Sequence, residues 1–224
     1  MARKKADTYD LALEGHKPFK PRNRNQEIYH RSMRNSDMVI GIGPAGSGKT
    51  YVASAWAAEQ LASGMVETVI LTRPIVTVEN EQIGFLPGKL ENKMEPWTAP
   101  IFDVFYERIG VQRTQEFLKG QKIRIVPFGF MRGRTFKDCI VLVDEAQNMT
   151  PTQAKALVTR AGEGATYVID GDLEQTDLKG PNGLDMLIDM VERFDLPVPI
   201  VTFTKKDVVR SEMCRLWVEA FESM

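Results

Sequence analysis

Eight residues constrain this chain more than any others: Gly43-Pro44-Ala45-Gly46-Ser47-Gly48-Lys49-Thr50. They satisfy the pattern G-x-x-x-x-G-K-[S/T], with an apolar run at 38–42 just before and a helical pattern just after. A strand must end and a helix must begin around this loop. Glycines let the backbone curl so that successive N–H groups point inward, and the helix N-terminus adds partial positive charge. The two together hold phosphate oxygens. Lys49 is expected to reach the β- and γ-phosphates of ATP and the Thr50 hydroxyl to bind magnesium. Residues Gly43 to Thr50, with Tyr51 beside them, form the candidate nucleotide segment.

The rest of the chain fits one architecture around that loop. Short continuous runs rich in Val and Ile occur at 38–42, 69–72, 123–126, 140–143, 167–169 and 200–203. Strands buried on both faces of a parallel sheet read this way. Helical patterns lie between them at 49–62, 96–108, 114–119, 151–161, 183–193 and 207–221, with a shorter one at 25–34. Thr150-Pro151 fits an N-cap followed by proline at the first helical position. The alternation predicts a doubly wound, mainly parallel α/β domain over 25–224, with ligands at the carboxyl ends of the strands. Residues 73–100 interrupt it as a Pro- and Gly-punctuated insertion, either a functional loop or a surface excursion.

Composition narrows the class. With 224 residues, 43% of them hydrophobic, the chain can bury one substantial core. The formal net charge of −1 argues against strong non-specific binding to nucleic acid. Residues 1–35 nevertheless carry nine Lys and Arg against four Asp and Glu. The arm at 1–24 is therefore either a nucleic-acid contact or a solvated, irregular terminus. Cys139 and Cys214 have no metal-ligand spacing, which fits a reducing compartment and a cytoplasmic protein. No apolar stretch follows the first basic residues and no run of 18 apolar residues occurs, so neither a secretory signal nor a membrane span is expected. His16 and His30 have no partner at metal spacing and are expected at the surface.

The second half of the phosphate chemistry lies in Ile140-Val141-Leu142-Val143-Asp144-Glu145. Four apolar residues bury a strand and Asp144 emerges at its end, where it can hold magnesium directly or through water. Glu145 beside it can orient and deprotonate a water. Alone, the pair would read as an acidic strand end capping the helix near Pro151. Beside the phosphate loop it reads as catalytic. Phe128, Phe130 and Phe136 interleave with Arg132 and Arg134, either as stacking surfaces for unpaired bases or as core.

These residues carry a resemblance. Asp144-Glu145-Ala146-Gln147 and Gly171-Asp172-Leu173-Glu174-Gln175 resemble motifs II and III of superfamily-one helicases. The resemblance implies that Gln175 senses the γ-phosphate and that Gln26, in Asn25-Gln26, reads adenine. The closer resemblance is to the PhoH-like ATPase family, from about residue 23 to 221. It rests on GPAGSGKT, Thr72-Arg73-Pro74, Ile83 to Gly88, Lys93-Met94, Phe130 to Phe136, VLVDEAQN and GDLEQTDL. It implies a single RecA-like domain that binds ATP and magnesium, with single-stranded RNA as partner. Some members are associated with RNA unwinding, others with RNA cleavage through a fused nuclease-type domain. No such domain is expected here. Two positions depart from the family: Lys89 stands where an acidic residue is usual, and Ser211 follows Val209-Arg210 where a histidine is usual.

Superfamily-one helicases complete the site with arginines from a second RecA-like domain. With one such domain, either the site is catalytically poor or a neighbouring subunit completes it; the second reading is favoured here, a homo-oligomer forming a hexameric ring by resemblance, with ATP at each interface and Arg210 as the candidate arginine finger. Such a charge contributes about 10³–10⁵ in rate. Arg73, Arg132 and Arg134 are further candidates for phosphate or RNA contact. Two other functions stay open: a nucleotide-gated assembly module with slow turnover, and a small-molecule phosphotransferase.

Overall fold

In the ladders of the central sheet, residues of opposite parity on each strand enter two different cores. Val39, Val69, Leu71, Ile140, Leu142 and Val168 pack on one side. Ile40, Ile70, Val141, Val143, Tyr167 and Ile169 pack on the other. Side chains alternate across a strand, so a continuous apolar run feeds both faces at once.

The computed structural model describes residues 18–74, 90–131 and 133–209, together with Met213 and Trp217. Its elements run α1 (Arg24–Asn35), β1 (Met38–Ile42), α2 (Lys49–Ala62), β2 (Thr68–Thr72), α3 (Leu90–Ile109), α4 (Val111–Lys119), β3 (Ile123–Ile125), β4 (Cys139–Val143), α5 (Pro151–Val158), β5 (Thr166–Gly171), α6 (Gly183–Arg193) and β6 (Ile200–Thr202). The six strands form one sheet in the order β3-β2-β4-β5-β1-β6, every pair parallel. Helices α1, α2 and α3 cover one face, α5 and α6 the other. This is a RecA-like α/β fold. No helix among the described residues is long and apolar enough to cross a membrane.

Besides small shifts at the ends of α4 and α5, three elements differ from expectation for physical reasons. The helix expected from 96 begins at Leu90 and runs through Pro96 and Pro100. Pro100 is exposed, so a helix carbonyl deprived of its N–H partner there can meet water. Strand β5 extends past 169 to Gly171, because the polar Asp170 within it is buried. The helix expected from 207 is replaced at its start by a 3₁₀ turn, Lys205–Asp207, followed by extended Val208. The Asp207 carboxylate accepts from the Thr204 N–H and from Asn25 Nδ2, which ends that turn against α1. Of the remainder of that expected helix, Met213 and Trp217 are helical. Thr150 is the N-cap of α5 and Pro151 opens it, as expected, and Gln153 adds a capping box with Thr150.

Candidate functional site

The phosphate loop leaves β1 and enters α2 at the carboxyl edge of the sheet, as the parallel topology requires. Two of its glycines have no substitute. Gly43 (φ 134°) lies so close to the Phe203 backbone that a Cβ would strike it. Gly48 (φ 89°) is the N-cap of α2, and a Cβ there would stand 2.7 Å from Gln26 Nε2. Gly48 supplies no side-chain cap, so the first-turn N–H groups of α2 open into a cavity of about 460 Å³.

Lys49 folds back into the loop. Its Nζ donates to the carbonyls of Gly43 (2.5 Å) and Pro44 (3.0 Å). Burial lowers its pKa, while Asp170, Asp172, Glu145 and Asp144 oppose that shift. The lysine is thus bonded to loop oxygens while four carboxylates act on it through their charge. Thr50 Oγ1 donates to Asp144 Oδ1 at 2.8 Å, which brings two oxygen donors together at the foot of α2. Burial raises the Asp144 pKa, the Thr50 hydrogen bond opposes this, and the Glu145 charge adds to it. Arg73, at the end of β2, reaches Asp144 Oδ2 at 3.7 Å and Glu145 Oε1 at 3.5 Å, and donates to the Trp97 carbonyl.

Magnesium and nucleotide fit these residues. The uncapped helix end and the inward lysine suit phosphate oxygens. Among the described residues no cluster of three or more His, Cys, Asp or Glu could hold a metal by itself. Magnesium takes one or two protein oxygens and completes its shell with phosphates and water, and Thr50 Oγ1 and Asp144 Oδ1 are oxygens of that kind.

Glu145 adopts a left-handed backbone (φ 53°), which turns the chain sharply after β4. Its carboxylate accepts from Gln147 Nε2 at 2.5 Å. Gln147 is the residue that motif reading left without a role. Its Nε2 also donates to the Gln175 carbonyl, and its Oε1 accepts from the Asp172 N–H. One buried amide thus joins the Asp-Glu segment to the Gly-Asp-x-x-Gln segment. Asn148 and Asp177 add a reciprocal pair alongside. The signal was its place two residues after Glu145. Gln175 itself is exposed and lines the cavity.

Asp170 is a second residue without a sequence-based role. It is buried at the cavity wall and accepts a hydrogen bond from Tyr29 Oη. Burial pushes its pKa up to about 7, with the Tyr29 bond opposing and the Asp144 charge adding.

The other candidates separate. Gln26 is buried beneath the loop: Oε1 accepts from the Arg22 N–H at 2.9 Å and Nε2 donates to the Ser47 carbonyl at 3.0 Å. Tyr51 lines the cavity and donates its hydroxyl to Glu107. Phe128 and Phe136 are core, whereas Phe130 is 57% exposed. His30 is not a simple surface residue: it packs 5.3 Å from the Phe19 ring, and burial lowers its pKa to about 4. Arg210, Arg132, Ser211, His16 and the segment 75–89, with Ile83 to Lys89, lie outside the described residues. Val209, just before Arg210, donates its N–H to the Gly46 carbonyl.

With this geometry in place, comparison with known proteins is specific. The pattern of the family described as PhoH-like protein matches residues 18–222. Protein PhoH of Escherichia coli strain K12 is 39% identical over 226 residues, covering 99% of this chain and 61% of that protein. A PhoH-like protein of Bacillus subtilis strain 168 is 38% identical over 208 residues, covering 92% of this chain and 65% of that protein. The chain thus spans a little under two thirds of the length of these relatives. Among solved structures, the UvsW helicase from bacteriophage T4 shares the fold, with TM-score 0.51 and 10% identity over 83% of this chain and 60% of that one. The chain belongs to the PhoH-like protein family.

Proposed function

We propose that this chain hydrolyses ATP with magnesium at the loop 43–50 and couples turnover to single-stranded RNA. The observation that carries the reading is the Thr50–Asp144 contact of 2.8 Å at the open N-terminus of α2, with Glu145 adjacent. Thr50 and Asp144 would hold magnesium, which when bound neutralises charge on the β- and γ-phosphate oxygens. Lys49 exchanges its loop carbonyls for phosphate oxygens. Glu145 orients the attacking water and accepts its proton. Gln147 fixes that carboxylate against the segment bearing Gln175, which reports the γ-phosphate.

Arg210 supplies positive charge to the γ-phosphate, in an oligomer where each subunit completes its neighbour's site. The bond from Val209 to Gly46 favours a second reading, in which the arginine serves its own subunit. Mixing Lys49→Ala with Arg210→Ala subunits separates the two. Recovered turnover supports the neighbour's site, and none supports the subunit's own. Phe130, exposed beyond β3 with exposed Arg134 nearby in sequence, is the aromatic best placed to stack on an unpaired base.

The test of the function is steady-state ATP hydrolysis with and without single-stranded RNA. RNA is expected to raise turnover in the wild type, and Phe130→Ala to remove the stimulation while leaving the RNA-free rate. Turnover indifferent to RNA would leave the phosphate site and remove the coupling.

A further inference from the structure

Strands β2 and β4 are parallel neighbours, with Thr72 opposite Val143. The ladder therefore carries the next residue of each strand to one place, and the Asp144 N–H bonds to the Thr72 carbonyl there. Consecutive residues of a strand point to opposite faces. The left-handed backbone of Glu145 (φ 53°) breaks that alternation, so that the Asp144 and Glu145 carboxylates both face Arg73. Arg73 Nη1 stands 3.7 Å from Asp144 Oδ2 and donates to the Trp97 carbonyl of α3 at 3.4 Å. Arg73 Nη2 stands 3.5 Å from Glu145 Oε1.

These contacts complete a pattern. Asp144 Oδ1 accepts from the Thr50 hydroxyl, and Glu145 Oε2 accepts from the Gln147 amide. The other oxygen of each carboxylate faces one arm of a single guanidinium. Each carboxylate is thus held on one side by a neutral donor and on the other by Arg73. A guanidinium is planar and rigid, so the separation of its arms is set by covalent geometry. The Arg73 side chain is 27% exposed, and an ion pair of that exposure adds little to stability. What it spaces is a different matter: an oxygen donor for magnesium and the carboxylate that activates water.

We infer that Arg73 is a positioning residue for hydrolysis, whose two guanidinium arms set the spacing between Asp144 and Glu145. The inference rests on the roles proposed above for those carboxylates, and it has two separable parts. The positive charge beside Asp144 opposes a metal ion at that carboxylate, because like charges repel. The fork fixes Glu145 relative to Asp144. A lysine keeps the charge but is a single point on a flexible stem, and it does not supply the fork.

The test compares wild type, Arg73→Lys and Arg73→Met on two readouts. The first is binding of Mn²⁺, as a stand-in for magnesium, in the presence of ADP, followed by loss of the free-ion paramagnetic resonance signal. The second is ATP turnover with magnesium, resolved into kcat and KM. Arg73→Met removes the charge and is expected to tighten Mn²⁺ binding by about threefold to tenfold, whereas Arg73→Lys keeps it and should match the wild type. Both variants are expected to lower kcat by about tenfold to a hundredfold, as misplacement of a catalytic group does, with KM little changed. Thermal midpoints should stay within about 2 °C of the wild type. A merely structural role would weaken Mn²⁺ binding, kcat and thermal stability together, and that result would overturn the inference. So would Mn²⁺ affinity unchanged in Arg73→Met. Full kcat in Arg73→Lys would also overturn it, by showing that charge without the fork suffices, and would spare the hydrolase reading. Should Arg73→Met not fold, the kcat of Arg73→Lys decides alone. A wild type without turnover sinks both.

Discussion

The two ends of one cavity are built on opposite principles. At the phosphate end, charged and polar side chains point into the space and brace one another: Lys49 on loop carbonyls, Thr50 on Asp144, Gln147 on Glu145 and the Gly171–Gln175 segment. At the other end, the Gln26 amide and the Tyr51 hydroxyl bond to protein groups, and Phe19, Tyr51, Pro100 and Val104 line the wall beside Arg22. Buried charges in a fixed geometry respond strongly to the position of a phosphoryl group, whereas stacking tolerates many bases.

Substitutions at the two ends should therefore differ in size and in kind. The largest effect belongs to Lys49→Ala, expected to lower turnover by about 10²–10³ through loss of charge on the transferred group, read by phosphate release. Gln147→Ala should come next, at about tenfold to a hundredfold. It leaves magnesium-dependent binding in place but frees Glu145 and the Asp172 N–H, with a buried donor now unsatisfied. A Gln147 variant that kept full turnover would show that the two ends are less different than their hydrogen bonds suggest. Tyr51→Ala, at the other end, should weaken every nucleotide by a similar factor of about tenfold, the worth of one stacking contact. Selective loss for one base would break the comparison.

The smallest effect concerns Asp170, which sits behind the phosphate end. Its folded pKa of about 7 lies above the ordinary carboxylate value, so the folded protein binds the proton more tightly than the unfolded chain. Its contribution to stability is complete below about pH 4 and is lost as pH rises through about 7. Asp170→Asn, which keeps an acceptor for Tyr29, should match the wild type in thermal denaturation near pH 4. It should exceed the wild type by several degrees at pH 8. An equal difference at both pH values would contradict the buried-proton account.

The phosphate end was legible in the sequence and the other end was not, for a physical reason. Loop and Asp-Glu segments are continuous in sequence, because consecutive backbone groups and strand ends make them. The other end is assembled from Phe19 and Arg22 before α1, Tyr51 in α2, and Pro100 and Val104 in α3, which no spacing connects. Gln26 shows the limit of a motif. Its position was readable, but whether its amide faces a base or the loop depends on Arg22 and Ser47. Strand positions were readable from Val and Ile runs. The last residues of β5 were missed because Asp170, a polar residue, is buried by Tyr29 rather than by apolar neighbours. The start of α3 was missed because prolines ordinarily begin helices, and here two lie within one.

Hydrolysis through Glu145 is tested most directly by ATP turnover of wild type and Glu145→Gln, with ATP binding measured on the same preparations. Glu145→Gln should retain binding and lose turnover by about 10²–10⁴, the contribution of a positioned general base. Equal turnover in the two proteins, with binding intact in both, would contradict it.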